Sequence, residues 1–482
     1  MEHPGKLKDL AGISGEESVF GVDLLETLEW AANHYVAPLS VLLSKVTPPN
    51  LPGKAELVGR IPRRRPDKGH PLEELASWAA SGRRRPSQAI VGVWQRLDWL
   101  AAFGPLIAAG RSALIVAASA AEVDLIAGAA RPIYGESLVS VGGEDDAVIT
   151  TAWDSAQRAG SLVVGTPRTA TWQIADLGLV VVLEEGRRAM KERQTPTLHV
   201  RDVIRRRSLV EGFSTVFFGP TPSVEVLATG AEVSRVGNRA WPLVEIVDRS
   251  EEPPGSGLIS DNVRAALRAV SGRGDRCFVF TFRKMVEQTV QEINARLGAP
   301  VAAGHPDERL ITVGTERDLA GIANLGLTVA ANVDGMLMVP GYRSSEEALR
   351  QLARLANALA PGSRHRMMAQ VMDPTSLIVE TLRRGDPIPY LEQVLVERGR
   401  SGLPPSTEML AIEIRDRVPE EADKTVRSLS SVDVVGPLAL ENGKRWLVEG
   451  RLAKARSELR EIVGRWREAG ATVRIDADPI DL

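Results

Sequence analysis

Leu162-Val163-Val164-Gly165-Thr166-Pro167-Arg168, followed by Leu177-Gly178-Leu179-Val180-Val181-Val182, has a near copy about 150 residues later. The copy is Ile311-Thr312-Val313-Gly314-Thr315-Glu316-Arg317, followed by Leu325-Gly326-Leu327-Thr328-Val329-Ala330. Each holds a short apolar run, a Gly-Thr break, a polar spacer, and a Leu-Gly-Leu that opens a second apolar run. Apolar runs without alternation are strands buried on both faces of a parallel sheet. An echo at long period marks duplicated architecture. Two α/β blocks in tandem are therefore expected.

Outward from the first copy, the spacing predicts strands over 112–118, 161–164, 179–183 and 214–218, with a helix over 120–130. Around the second copy it predicts strands at 243–247, through Cys277, at 310–313 and at 366–372. Helices are predicted over 284–297 and 344–360. After Pro404-Pro405 comes a β-α-β-α-β pattern: strand 409–414, helix 419–430, strand 445–449, helix 452–469 and strand 472–475. This predicts a small ferredoxin-like α+β domain. Residues 21–46 have helical spacing that Pro38 breaks. Residues 47–87 are rich in Pro and Arg, with one short helix near 72–80. The boundaries fall at 1–50 for the helical segment and 51–87 for the connector. The first lobe takes 88–235, the second 236–400, and the C-terminal domain 401–482.

The 482 residues suit about three domains. No apolar run approaches the ~18 residues of a membrane span, and Met1–Lys6 lacks an apolar leader, so a cytoplasmic location is expected. Cys277 is the single cysteine, which excludes an internal disulfide and a multi-thiolate zinc site. It sits among apolar residues and reads as a packed thiol. The net charge of −3 carries no global nucleic-acid signature. The basic residues are lopsided, though: 49 of the 59 are Arg, with triplets at 63–65, 83–85 and 205–207. Arginine forks suit phosphate.

Tandem α/β blocks suggest a nucleotide-driven motor, but no Gly-rich loop ending in Lys-Ser/Thr exists. The matching place, Gly92-Val93-Trp94-Gln95-Arg96, keeps one glycine and puts a bulky indole where backbone amides would cradle phosphate. Glu184 and Glu185 leave an apolar strand at its C-terminal end, where open α/β sheets place their sites. The histidines show no metal-ligand spacing, and no Ser/His/Asp set is evident.

From Leu177 the chain resembles a known family. Leu177-Gly178-Leu179 through Glu184-Glu185-Gly186, then Lys191, Pro196, His199, Arg201 and Asp202, is similar to the DEEH-box region of primosomal protein N′, the replication-restart helicase PriA. Gly219-Pro220-Thr221-Pro222-Ser223 stands at its Ser-Ala-Thr-Pro-Ser motif. His34-Tyr35-Val36-Ala37-Pro38-Leu39 resembles the end of its N-terminal DNA-binding region. Pro242–Arg249 resembles the entry to its second lobe. Asp334, Tyr342-Arg343, Glu346 and Leu352 follow a second-lobe pattern. Gly402-Leu403-Pro404-Pro405, Val435-Gly436-Pro437, Arg445-Trp446 and Arg474–Pro479 match its C-terminal domain. The resemblance implies tandem RecA-like helicase lobes, a small C-terminal α+β domain and a helical remnant of the N-terminal region.

The departures fall on the motor. The phosphate-loop Lys and Thr positions hold Gln95 and Arg96. Leu183 and Gly186 replace the DEEH Asp and His. Residues 354–361 cover the motif that carries two arginines in the family, and Ala358 and Pro361 stand at its two arginine positions. The cysteine-rich zinc module and much of the N-terminal domain have no counterpart. One such arginine can be worth about 10³-fold in rate. The resemblance thus implies that the family's ATP, Mg²⁺ and zinc sites are lost, so no cofactor and no metal are expected. It implies a replication-restart protein, nucleoid-associated, that binds forked or single-stranded DNA and helps reload the replicative helicase. Single-strand-binding protein and helicase loaders are the implied partners, with no membrane. Candidate DNA contacts are Arg83, Arg84, Arg85, Arg187, Arg188, Arg205, Arg206, Arg207 and Arg445. The degenerate site comprises Gly92, Gln95, Arg96, Glu184 and Glu185. An ATPase with an unorthodox site, or a protein-binding scaffold, are the alternatives.

Overall fold

A computed structural model describes residues 19–50, 70–143, 145–253, 255–298, 300–304 and 310–480. The Arg63–Arg65 triplet lies outside them. Strands β1 (Gln88–Val91), β2 (Ser112–Val116), β3 (Leu138–Val141), β4 (Leu162–Gly165), β5 (Leu177–Leu183), β6 (Ser214–Gly219) and β7 (Glu232–Arg235) form a first sheet. Its order is β3-β4-β2-β5-β6-β1-β7, and every pairing is parallel. Strands β8 (Val244–Asp248), β9 (Cys277–Phe280), β10 (Val301–Ala303), β11 (Ile311–Gly314), β12 (Leu327–Ala330) and β13 (Arg366–Val371) form a second. Its order is β10-β11-β9-β12-β13-β8, again parallel.

Strand for strand, the second order repeats the first six of the first sheet. The two sequence copies occupy equivalent places, β4 with β5 and β11 with β12. Within each copy the two strands are not neighbours, because β2 or β9 lies between them. Gly165 and Gly314 serve the same local device. Each strand runs into a tight 3-10 turn, Pro167–Thr171 or Glu316–Leu319. A Cβ at Gly165 would lie 2.2 Å from Thr169 Cγ2, and one at Gly314 would lie 2.9 Å from Asp318 Oδ2.

Both sheets are covered on both faces, which is why their strands read as unbroken apolar runs. Ala113, Ile115, Leu179 and Val181 enter one core, while Leu114, Val116, Val180 and Val182 enter another. Phe278 and Phe280 likewise part from Cys277 and Val279. Burial pushes the Cys277 thiol up to about 12, so it packs as an inert apolar group.

Strands β14 (Glu408–Arg415), β15 (Val432–Leu440), β16 (Gly443–Gly450) and β17 (Thr472–Ala477) form an antiparallel sheet ordered β15-β16-β14-β17. With helices Ala422–Arg427 and Ala453–Glu468 the chain order is β-α-β-β-α-β, the ferredoxin-like arrangement. The sequence pattern lacked β15. Gly436-Pro437 interrupts it, and the register shifts between Val435 and Leu438, which erases the alternation that marks a strand. Helices Val22–His34 and Leu39–Val46 stand on either side of Pro38. Leu24, Leu28 and Tyr35 share one core with Leu410, Trp446 and Leu459, so the N-terminal helices and the C-terminal sheet pack as one unit. Among the described residues no helix is long and apolar enough to cross a membrane.

Candidate functional site

The C-terminal ends of β5, β9 and β11 face a cleft between the two parallel sheets, and the cleft is filled with paired charge. Glu184 follows β5 with φ +48°, a strained conformation for a residue with a Cβ. Its Oε1 accepts from Trp94 Nε1 at 2.6 Å, and its Oε2 accepts from Arg354 Nη1 at 3.2 Å. Arg354 also donates through Nη2 to Glu122 Oε1 at 2.9 Å. Arg187 Nη1 spans both oxygens of Glu122, at 2.7 and 2.9 Å. Arg350, one turn from Arg354, forks onto Glu316 at 2.6 and 2.8 Å and onto Glu347. Arg350 and Arg354 lie on the second-lobe helix Ser344–Asn357, and Glu122 lies in the first turn of the first-lobe helix Ala120–Tyr134. The network therefore crosses from one lobe to the other.

The side chains of Glu122, Glu184 and Arg354 are at most 4% exposed. Charges this deep persist only when paired and hydrogen-bonded. Burial alone would raise the Glu122 carboxyl, but Arg354 and Arg187 outweigh it and hold it below the usual carboxylate range. Glu316 is held down in the same way, chiefly by Arg350. Glu185 goes the other way. Its burial raises the carboxyl, and its Oε1 accepts from Ser223 N at 2.7 Å.

Both Glu184 oxygens are engaged by protein donors, and Trp94, within the segment matched to the phosphate loop, is itself buried. Gly92 is small for another reason: a Cβ there would meet Val236 Cβ at 2.7 Å. Gln95 is half-buried and Arg96 is exposed.

A second charged knot lies where the C-terminal sheet meets both lobes. Glu225 accepts from Arg398 Nη1 at 2.8 Å and from Arg343, with Arg201 at 3.5 Å. Arg343 Nη2 reaches Asp478 at 2.6 Å. Lys191 Nζ donates to the carbonyls of Ala477 and Asp478 and pairs with Asp476. Residues scattered along the family resemblance, from Lys191 and Arg201 to Arg343 and Asp478, thus meet at one place.

The candidate phosphate contacts separate by exposure. Arg83 and Arg84 are exposed, while Arg85 pairs with Glu74 at 2.6 Å and stacks over Trp78. Arg188 is exposed at the cleft mouth, 3.9 Å from Glu347. Arg205 lines a groove beside Trp30 and Arg456, and Arg206 pairs with Glu26 at 2.7 Å. Arg445 is half-buried, 3.8 Å from Glu413. Two assignments are corrected. Arg187 is buried in the cleft network. Arg207 is fully buried, forked onto Glu211 at 2.6 and 2.8 Å and onto the Ala170 carbonyl at 2.8 Å. Neither can reach a phosphate without breaking buried pairs. Sequence reasoning also missed Glu122, Glu316, Arg350 and Arg354. The i,i+4 spacing of the two arginines on an amphipathic helix was the one available signal.

No known family profile matches the chain. It is 24% identical over 457 aligned positions, covering 74% of this chain and 70% of the relative, to a Mycobacterium leprae protein described as a probable replication restart protein PriA. Among solved structures it is similar to a DEAD box protein from the hyperthermophile Methanococcus jannaschii, at 14% identity with a TM-score of 0.32. That match covers 67% of this chain and 90% of the other. The yeast DEAD-box splicing factor Prp28 matches at 13% identity and a TM-score of 0.25, covering 60% of this chain and 72% of that one.

Proposed function

We propose that this chain is a replication-restart protein that binds forked or single-stranded DNA and helps reload the replicative helicase without hydrolysing ATP. One observation carries the reading. The cleft in which two such lobes would grip a nucleotide is filled by the Trp94–Glu184–Arg354–Glu122–Arg187 network. A motor cycles its cleft between states with and without bound nucleotide. A cleft neutralised by the protein's own side chains has nothing to cycle.

In this reading Arg83, Arg84 and Arg188 supply phosphate contacts, and nucleoid association follows from DNA binding. Polarisation of a fluorescent fork, measured across a salt series, tests it. Binding with a negative slope against salt is expected. Binding no tighter than micromolar at low salt, or a flat salt response, sinks the reading. A DNA-stimulated phosphate-release assay with Glu184→Gln as control separates it from an ATPase with an unorthodox site.

A scaffold role is favoured by one further observation. Edge strand β15 exposes Val435 at 57% and Leu438 at 60% on the C-terminal domain, a surface suited to protein contact. Single-strand-binding protein and helicase loaders are the partners this role implies. Pull-downs with and without nuclease distinguish the two roles: a partner lost on nuclease treatment was bridged by DNA.

A further inference from the structure

Arg398 is a buried tie between three parts of the chain. It lies on the helix Ile388–Arg400, and its side chain is 3% exposed. Its Nη1 donates to Glu225 Oε1 at 2.8 Å and to the Pro404 carbonyl at 2.9 Å, while its Nη2 donates to Glu346. Glu225 belongs to the first lobe, on the helix Val224–Leu227. Glu346 belongs to the second, in the first turn of the helix Ser344–Asn357. Pro404 leads into the C-terminal domain. Two carboxylates from opposite lobes therefore share one guanidinium away from water.

The two carboxylates are unequally supported. Glu225 also accepts from Arg343 and lies 3.5 Å from Arg201, whereas among the described residues Glu346 hydrogen-bonds to Arg398 alone. Burial would raise the Glu225 carboxyl, but Arg343, Arg201 and Arg398 outweigh it and hold it below the usual carboxylate range. Burial pushes the Glu346 carboxyl up to about 7; Arg398 pulls against that rise, and the negative Glu225 adds to it. The other groups around the pair hold one charge state near neutrality. The guanidinium groups are fixed cations, and Asp478 is paired with Arg343 at 2.6 Å. Burial raises the Tyr342 and Tyr390 hydroxyls and drives His199 well below its ordinary value, so all three stay neutral. Glu347 and Glu397 are engaged by Arg350 and Gln393.

We propose that Glu225, Arg398 and Glu346 form a proton-responsive joint between the lobes, closed while Glu346 carries a proton and loosened when both carboxylates are ionised around the one guanidinium. A second buried charge adds a desolvation penalty that a shared cation only partly offsets. Opening returns Glu346 to water and to an ordinary carboxylate value near 4.5, so between that value and about 7 the closed form binds more protons. Closure therefore weakens as pH rises through this window and levels off above it. From pH 6 to pH 8 the opening equilibrium should rise on the order of tenfold.

The test is hydrogen exchange of the full chain, followed by mass spectrometry at pH 6 and pH 8 and corrected for the intrinsic pH dependence of exchange. The reporting segment is 398–406, where Leu403 N donates to the Arg398 carbonyl at 2.9 Å. Glu346→Gln fixes the neutral form at nearly constant shape. Wild type and this variant should exchange alike at pH 6, and at pH 8 wild type should exchange on the order of tenfold faster. A plain ion pair gives the reverse: the variant opens more than wild type at pH 8, or does not fold, and either result overturns the joint. Equal exchange at both pH values also overturns it. Glu225→Gln then tests the sharing. With the second carboxylate gone, the pH response of exchange should move to lower pH, and a response that stays in place shows that Glu346 titrates without reference to the opposite lobe and overturns the shared joint.

Discussion

Strand β5 of the first lobe and strand β12 of the second hold equivalent places in their sheets, yet they bring different chemistry to the cleft. After β5 come Glu184 and Glu185, both buried and both tied to donors from other elements. After β12 come Ala331 and Asn332, and Asn332 caps the next helix by accepting from Gly335 N at 2.8 Å. The β4 and β11 ends differ as well. Thr166-Pro167-Arg168 closes a local turn, whereas Glu316 reaches across to Arg350 and Arg317 is left free. The two lobes share a strand order and its tight turns. The first lobe contributes Glu122, Glu184 and Arg187 to the buried network, and the second contributes Glu316, Arg350 and Arg354.

The largest break in this comparison comes from Arg354→Ala. It leaves Glu184 and Glu122 buried without their shared partner and should cost about 3–5 kcal/mol, read by urea unfolding. Adding Glu122→Gln should recover part of that loss. An additive double variant would mean that the network is not a unit.

Acid should strike the same residues. Glu122 titrates below its ordinary value in the folded protein, so its contribution is complete above the unfolded carboxylate range near 4.5. That contribution is lost as pH falls through the depressed folded value. Unfolding midpoints measured from pH 7 down to pH 3 should fall, and Glu122→Gln should flatten the decline.

Trp94→Phe keeps an aromatic side chain but trims its volume and deletes the donor to Glu184, a loss of about 1–3 kcal/mol for the hydrogen bond that calorimetry can measure. Gly165→Ala and Gly314→Ala probe the duplicated turn. The first collides with the branched Thr169 at 2.2 Å, the second with the movable Asp318 carboxylate at 2.9 Å. Each should cost about 1–3 kcal/mol, with Gly165→Ala the worse. The reverse order would show that the two turns are not equivalent. The smallest effect belongs to Arg83→Ala with Arg84→Ala. Stability should hold, and the salt slope of DNA binding should fall by about one per arginine.

The architecture was legible because burial on both faces leaves a trace in the residues themselves. Val163, Val180, Val181 and Val329 admit no polar alternation, and the repeated Gly-Thr break placed matching strands in matching sheets. Strand β15 was not legible, since Gly436-Pro437 and a register shift remove its period. The site was legible only in part. Glu184 and Glu185 stood out at a strand end, but nothing local shows that Trp94 and Arg354 satisfy them. Arg187 and Arg188 are adjacent and alike in composition, yet one is sealed in the cleft and the other faces solvent. In the 205–207 triplet, Arg207 points inward because the helix Val200–Glu211 turns that position toward Ala170. A run of like residues does not reveal its own facing.

By itself the sequence determined two parallel α/β lobes, a small α+β domain after Pro404-Pro405, and a phosphate-loop position without a lysine. Those follow from periodicity and residue type, which act over a few neighbours. Only the tertiary structure decided that Arg354 would lie against Glu184, 170 positions away, and that the helix Val22–His34 would share one core with the sheet β14–β17. Ion pairing depends on which side chains are brought together after water is expelled, and no local pattern of the chain records that choice.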